Sequence, residues 1–157
     1  EIPQTPQSVL LWQPVLQGRS FMTQFLRLRL ASALGEADRE STTDLRSRLA
    51  AGESLEIAGY ELAPELAEAV DALEATVLHP PVDVPTLWLA VSRHQPPILT
   101  SAAAEVVQGW RGQGVSVAER PVTGEPFWAT QEVTDVPELV SASVPWVAGA
   151  EDSVGGC

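Results

Sequence analysis

A continuous apolar segment near the N-terminus constrains the fold of this chain most strongly. Residues 9–15 are interrupted only by a Gln-Pro pair, and a segment that is apolar on both faces is typical of a central strand in a parallel sheet. Residues 20–34 then follow helical spacing, with Ser20 as the predicted N-cap and Gly35 as the predicted stop. The stretch therefore predicts the strand, turn and helix from which α/β folds are built.

The remainder of the chain continues to alternate between helical and extended patterns. This order predicts an α/β fold with about three parallel strands, flanking helices and a helical insertion. With so few strands, the first one would be an exposed apolar edge, which predicts further strands before it in the intact protein. After the first helix, the sequence predicts a short helix from Thr42 or Thr43 to Ala51 with Gly52 as its stop, and then a hairpin around Ala58 and Gly59. A helix at 63–75 follows, with Leu66, Val70 and Leu73 on one face. The rest of the chain predicts strands at 86–91 and 115–122, a helix between them capped by Thr100 or Ser101, and a last helix at 135–144 with Pro137 in its first turn and its end before Pro145.

Charge and composition exclude several classes of function. A net charge of −12 argues against binding to nucleic acid or an anionic membrane surface. All nine basic residues are arginine, which excludes lysine Schiff-base chemistry and a lysine-containing phosphate loop. The single cysteine, Cys157, cannot form an internal disulfide.

Targeting signals are also missing from the sequence. No apolar run reaches the roughly 18 residues that span a bilayer, and the N-terminus does not have the pattern of a signal peptide. We therefore expect a cytoplasmic protein. The first residue is not methionine, which predicts either processing or a piece of a longer protein.

The Gly18-Arg19-Ser20 turn raises the possibility of a serine nucleophile. A nucleophile elbow needs small residues two positions before and two positions after the serine, because strand and helix approach closely there. Gly18 meets the first requirement, whereas Met22 does not meet the second. The pattern favours Ser20 as a helix cap rather than as a nucleophile.

No other residue set carries a recognisable chemistry. His79 precedes two prolines in a connector, and His94 follows a predicted strand without a carboxylate placed to orient it. The carboxylates are spread over predicted surfaces, and no zinc-binding spacing occurs. Phe127 and Trp128 are interpreted as aromatic residues that bury the end of the sheet. We therefore predict no catalytic, metal-binding or cofactor-binding residues and no cofactor.

Three segments of the chain resemble one family. They are "LLWQPVLQGRSFMTQFLRLRLA", "AGESLEIAGYELAPELA" and "GEPFWATQE" followed by "PELVSAS". Together they are similar to the C-terminal half of the exosortase A system-associated hydrolases, in the second of the two α/β-hydrolase-superfamily types found beside that bacterial export system. The likeness covers about residues 8–146, and its specific parts are the Trp-Gln-Pro strand end and the Gln-Phe-Leu-Arg helix.

The resemblance implies a partial α/β-hydrolase fold. Its domains would be the first core strand and turn at 1–20, a cap-like helical insertion with a short ribbon at 21–80, the C-terminal strands and helices at 81–149 and a flexible tail at 150–157. The serine elbow of such hydrolases lies upstream of the strand that carries Trp12, so Ser20 comes one strand too late.

The other family roles find no matching residue here. The superfamily's acid usually follows the strand matching residues 86–91, where this chain has Arg93 and His94, and its histidine usually follows the next strand, where this chain has Glu125. No motif gives Glu125 or Glu132 a role.

The expected function is that of a C-terminal portion of a hydrolase that acts on an ester or acyl-type substrate, inactive alone because the nucleophile half is missing. The alternative is a non-catalytic α/β interaction or scaffold module. We also expect self-association of the isolated chain through its first strand, and no insertion into membranes.

Overall fold

The structure is a computed structural model that describes residues 6–32, 40–125, 127 and 134–149. It is a mixed α/β protein in two compact units, one formed by Glu1–Pro14 with His79–Cys157 and the other by Val15–Leu78. Five α-helices and five strands occur in the described ranges. In chain order they are β1 (Val9–Trp12), α1 (Gly18–Ser32), α2 (Thr42–Ala50), β2 (Leu55–Ile57), β3 (Tyr60–Leu62), α3 (Pro64–Asp71), β4 (Thr86–Ser92), α4 (Ser101–Gly112), β5 (Val117–Thr123) and α5 (Pro137–Val147).

Three strands of the first unit form a parallel sheet in the order β1-β4-β5. Thr86 is in register with both Val9 and Val117, so the three strands start at nearly the same level. β4 is the central strand and is buried along almost its whole length. β1 lies at the edge of this sheet, as expected for a chain with so few strands, but it ends at Trp12 and is therefore shorter than the apolar segment 9–15.

Helices cover both faces of this sheet. Successive side chains of β4 point to opposite faces, and Trp88 meets Trp110 of α4 edge to face, with ring centroids 5.3 Å apart. Leu87 and Leu89 point the other way, into a core with Leu139 of α5. The result is a three-layer α/β arrangement in which β4 needs apolar residues on both of its faces.

The predicted start of α4 is confirmed, whereas the predicted end of α5 is wrong. Thr100 caps α4 as predicted, because its hydroxyl accepts the amide of Ala103 at 3.2 Å. Pro145 does not end α5, which continues to Val147. A proline in the last turn removes only one helical hydrogen bond, and the amide of Ala148 still donates to the carbonyl of Val144 at 3.0 Å.

In the second unit, α1 begins earlier than the sequence predicts. The amide of Phe21 donates to the carbonyl of Gln17 at 3.1 Å, so the helix starts at Gly18 and Ser20 lies in its first turn. The exposed hydroxyl of Ser20 donates to Oε1 of Gln17 at 3.1 Å. The prediction of Ser20 as the N-cap is therefore wrong. Gly35, its predicted stop, lies outside the described residues.

The next helix is capped one residue before the predicted threonines. Ser41 and Asp44 form a reciprocal capping box, in which each side chain accepts the other residue's main-chain amide. Hydrogen bonds from the hydroxyl and the amide of Ser41 hold the pKa of Asp44 below its ordinary value of 3.8. Gly52 follows the helix with a φ of +88°, as its predicted role as a stop requires.

α3 ends sooner than its pattern predicts and presents a different face to the core. It spans Pro64–Asp71, and its buried residue is Ala67, with Val70 packed at the edge of the core. Leu66 and Leu73, predicted to face inward, are 53% and 47% exposed. The buried core of this unit consists of Met22, Leu26, Leu45, Leu49, Leu55, Ile57, Leu62 and Ala67.

Arg46 links the three helices of this unit by polar contacts. Its guanidinium pairs with Asp71 at the end of α3, and it also donates to the carbonyl of Arg19 at 3.1 Å and to the hydroxyl of Thr23 at 3.0 Å. Both acceptors belong to α1, whereas Arg46 itself lies on α2. One planar cation with several donors is suited to such a junction.

The hairpin predicted around Ala58 and Gly59 is confirmed, with β2 antiparallel to β3. Ala58 has a φ of 50° and Gly59 a φ of 83°, the pair of positive angles that a two-residue type I′ turn requires. Alanine tolerates this conformation poorly. We expect Ala58→Asn to raise the free energy of unfolding by about 0.5–1 kcal/mol.

Urea denaturation of Ala58→Asn and of Ala58→Val tests this expectation. Valine is the matched control, because a β-branched side chain is strained at positive φ, and it should lower the free energy of unfolding. Equal effects of the two substitutions would show that the turn conformation does not limit stability here.

Candidate functional site

The carboxyl ends of the parallel strands bring three loops to one edge of the sheet, the place where α/β folds commonly bind ligands. Gln13 follows β1, Arg93 and His94 follow β4, and Gly124 and Glu125 follow β5. These loops contain the residues that sequence reasoning considered for chemistry in the first unit. They are the candidate functional site of this chain.

Gln13 holds the loop after β1 in an unusual conformation. Its φ of 41° lies in the left-handed region, which is uncommon for a residue other than glycine. Its amide still donates to the carbonyl of Leu89 at 2.8 Å, while its side-chain Oε1 accepts the amide of Val91 at 3.0 Å. The side chain thus takes over the next hydrogen bond of the ladder at the point where the main chain turns away from β4.

Removing that acceptor should destabilise the sheet. We expect Gln13→Leu to lower the free energy of unfolding by about 1–3 kcal/mol, because the partly buried amide of Val91 loses its partner. Gln13→Glu keeps an oxygen at the same place and should change stability by less than about 0.5 kcal/mol. Urea denaturation followed by circular dichroism measures both variants. A glutamate variant as unstable as the leucine variant would contradict this role of the side chain.

A second contact fastens β1 to α5. The indole Nε1 of Trp12 donates to the hydroxyl of Ser143 at 2.9 Å, and the buried Ser143 donates in turn to the carbonyl of Leu139 at 2.7 Å. The serine hydroxyl is therefore satisfied as both donor and acceptor. This chain of bonds fixes Trp12 beside the candidate site, while 44% of the tryptophan surface stays exposed.

The loops after β4 and β5 are joined by an ion pair. Nε of Arg93 donates to Oε2 of Glu125 at 2.9 Å, and both side chains are more than half exposed. Within the described residues, the side chain of His94 has no hydrogen-bond or ion-pair partner. The hydroxyl of the buried Ser92 accepts the main-chain amide of His94 at 3.1 Å. The carboxylate of Glu125 is thus paired with an arginine rather than with a histidine.

Gly124 is the closest packing point of the site. Its amide donates to the carbonyl of Ser92 at 3.1 Å, which keeps the loop after β5 beside the loop after β4. A β-carbon at this position would lie 2.7 Å from the Cγ1 of Val136 and 3.1 Å from that of Val91. A residue with a side chain would therefore have to displace the side chains of Val136 and Val91.

The structure gives the other residues considered from the sequence the following places. Ser20 belongs to the Val15–Leu78 unit. His79 is exposed in its connector, where Nδ1 lies 2.8 Å from the carbonyl oxygen of Pro80. Phe127 packs against the core beneath α5, as its interpretation as a burying aromatic predicts. Trp128 and Glu132 lie outside the described residues.

The described residues hold no arrangement suited to metal binding, since no group of three or more histidine, cysteine or acidic side chains comes together. In the same part of the chain, no helix is long and apolar enough to cross a membrane. What the site offers is a set of polar loops held by Gln13, Gly124 and the ion pair between Arg93 and Glu125.

Sequence reasoning missed Gln13 and the ion pair. A left-handed glutamine leaves no signal in a single sequence, because glycine or asparagine would be the residue expected there. The position of Arg93 and Glu125 directly after neighbouring strands indicates that their loops share one edge of the sheet, but not that the two side chains pair.

Comparison of the chain with protein-family models, with curated proteins and with solved structures gives no significant match in any of the three.

Proposed function

We propose that this chain supplies the cap and the last three core strands of an α/β-hydrolase-type protein, similar to the exosortase-associated hydrolases. The complete protein would hydrolyse an ester or acyl-type substrate. The chain alone would be inactive, because the nucleophile and the oxyanion hole would come from strands that precede β1.

One observation carries this proposal. The compact unit Val15–Leu78 is inserted between β1 and β4, two strands that are parallel and adjacent in the sheet. The resemblance places a cap at this point of the chain. A helical insertion between neighbouring parallel strands supports that placement, and the order β1-β4-β5 fits three consecutive strands of one doubly covered sheet.

The candidate site limits what the chain can contribute to catalysis. A nucleophilic serine needs a histidine to take its proton and a carboxylate to orient that histidine. Here the loop after β4 carries His94, while the carboxylate of the loop after β5 is held by Arg93. In the proposed enzyme these loops would bind and orient the substrate.

The coding DNA upstream of the Glu1 codon tests the proposal. We expect an in-frame segment that encodes a strand followed by Gly-x-Ser-x-Gly, the turn that exposes a nucleophilic serine. A ribosome-binding site and a start codon directly before the Glu1 codon would overturn the proposal.

That second result would favour a non-catalytic α/β interaction module. The pairing of Glu125 with Arg93 is the observation that favours this alternative, because it occupies the carboxylate of the site with a structural contact. An interaction module would need no upstream nucleophile.

A further inference from the structure

The side-chain amide of Gln13 is held in one orientation at the carboxyl end of the sheet. Its Oε1 accepts the main-chain amide of Val91 at 3.0 Å. A main-chain N–H can bond only to the oxygen of a glutamine amide, so this contact decides which end of the group is the nitrogen. Nε2 is therefore the remaining end and carries two N–H donors. No described residue accepts a hydrogen bond from Nε2.

The register of the sheet places this amide beside the loop after β4. Trp12 is the last residue of β1 and is in register with Leu89, whereas β4 continues to Ser92. The side chain of Gln13 therefore bonds to β4 beyond the point where β1 ends. It lies on the β4 side of β1, away from the outer edge that preceding strands would occupy. The loop that carries Arg93 begins directly after β4.

The backbone of Gln13 is strained in this arrangement. Its φ of 41° is uncommon for a residue with a side chain. Such strain costs stability and is concentrated at active sites and ligand-binding sites, where a fixed geometry is needed. Gln13 is half-buried, so its donors are neither sealed in the core nor fully in solvent. A fixed, half-buried donor at the carboxyl edge of a parallel sheet is placed where α/β folds bind ligands.

The charges near this donor favour an uncharged ligand. Arg93 and Glu125 neutralise each other through their ion pair. The chain as a whole carries a net charge of −12, and a field of that sign repels anions. The neutral N–H donors of Gln13 are suited to an oxygen without formal charge, such as the carbonyl oxygen of an ester or an amide.

We propose that Nε2 of Gln13 donates a hydrogen bond to the carbonyl oxygen of an uncharged acyl substrate. This inference deepens the proposed function and rests on it for the kind of substrate. Oε1 of Gln13 then serves the fold, by completing the ladder of β4, and Nε2 serves the ligand. A carbonyl oxygen accepts two hydrogen bonds, so a donor of the upstream oxyanion hole can bond to the same oxygen.

Gln13→Glu separates these two roles. Glutamate keeps an oxygen for the amide of Val91, but it replaces the two donors of Nε2 by a second acceptor oxygen. Gln108→Glu is the matched control, because it makes the same change of group and charge at an exposed position of α4. Both variants should unfold at the temperature of the parent protein.

Turnover of p-nitrophenyl butyrate is measured on the protein translated from the whole reading frame. We expect Gln13→Glu to lower kcat/KM by about tenfold, because a donor to the substrate is lost and an acceptor faces the carbonyl oxygen. Gln108→Glu should have the kcat/KM of the parent. Equal kcat/KM for the two glutamate variants would overturn this inference and leave the proposed function standing.

Binding is measured apart from turnover, by the NMR signals of side-chain NH₂ groups in the same ¹⁵N-labelled protein. The signals of Gln13 are identified by their loss in Gln13→Glu. Butyramide and butyrate are the probes, because they share an acyl chain and differ in charge. We expect the Gln13 signals to shift and saturate with butyramide, and to respond less to butyrate.

The binding arm distinguishes failure of this inference from failure of the proposed function. Saturable shifts with butyramide in a protein without turnover would overturn the proposed function and support the donor site at Gln13. Unchanged Gln13 signals with butyramide would overturn the inference, as would a larger response to butyrate.

Discussion

Replacement of Gly18 by alanine is expected to unfold the Val15–Leu78 unit, at a cost of about 3 kcal/mol or more. Gly18 starts α1 against the main chain of α3, and its amide donates to the carbonyl of Leu73 at 2.8 Å. A β-carbon there would lie 1.7 Å from the carbonyl oxygen of Val70 and 3.2 Å from that of Leu73. Both obstacles are backbone atoms, so no side-chain rotation can relieve the clash.

Gly109→Ala in α4 is the matched control. Apart from its chain neighbours and the backbone of α4 itself, no atom of the described residues lies within 4 Å of the β-carbon it would add, and alanine is favoured over glycine inside a helix. That variant should be more stable than the parent by about 0.5–1 kcal/mol. Thermal unfolding of both variants by circular dichroism measures the contrast. If Gly18→Ala unfolds at the same temperature as the parent chain, the start of α1 does not lie as close to α3 as the structure shows.

The chain by itself should not hydrolyse short acyl esters above the buffer rate. A positioned nucleophile, base and oxyanion hole accelerate such reactions by about 10⁶-fold or more, and in the described residues neither histidine side chain is hydrogen-bonded to a serine or a carboxylate. p-Nitrophenyl acetate and butyrate are suitable substrates because their hydrolysis is followed by absorbance.

Ser20→Ala is the decisive variant for this second prediction. Ser20 is exposed in the first turn of α1 and bonded to Gln17, so its loss should change stability by less than about 0.5 kcal/mol. The variant and the parent should show the same background rate. Turnover by the parent chain that disappears in Ser20→Ala would make Ser20 a nucleophile and would contradict the prediction of an inactive chain.

Much of the fold could be predicted from local pattern. β4 combines apolar residues on both faces with flanking turns, which is the pattern of a buried parallel strand. The start of α4 follows from Thr100, and the hairpin follows from Ala58 and Gly59 between two alternating segments. In these places, local preference and tertiary structure agree.

The remaining features depend on contacts between distant residues. In sequence, Gly18 matches the first of the two small residues of a nucleophile elbow. In the structure, its lack of a side chain allows α3, about 50 residues further on, to lie close to the start of α1. Serine is a favourable N-cap residue, yet the helix starts at Gly18 because the carbonyl of Gln17 accepts the first helical hydrogen bond, which the amide of Phe21 donates. Capping preference alone could not decide between these starts.

The candidate site was less predictable than the fold. The location of Arg93, His94 and Glu125 after neighbouring strands could be read from the sequence, because parallel strands end at one edge of a sheet. The ion pair between Arg93 and Glu125 could not be predicted from the sequence. The same holds for the left-handed conformation of Gln13, whose side chain completes the hydrogen-bond ladder of β4. The hydrolase assignment itself remains a proposal that rests on resemblance and on the position of the inserted unit.

We propose as the central claim that the nucleophile of the complete protein lies N-terminal to β1. Its most direct test is labelling of the protein translated from the whole reading frame with a fluorophosphonate, followed by peptide mass spectrometry. We predict a label on the serine of a Gly-x-Ser-x-Gly sequence encoded upstream of Glu1. A label on Ser20, or on any other serine within residues 1–157, would contradict this claim.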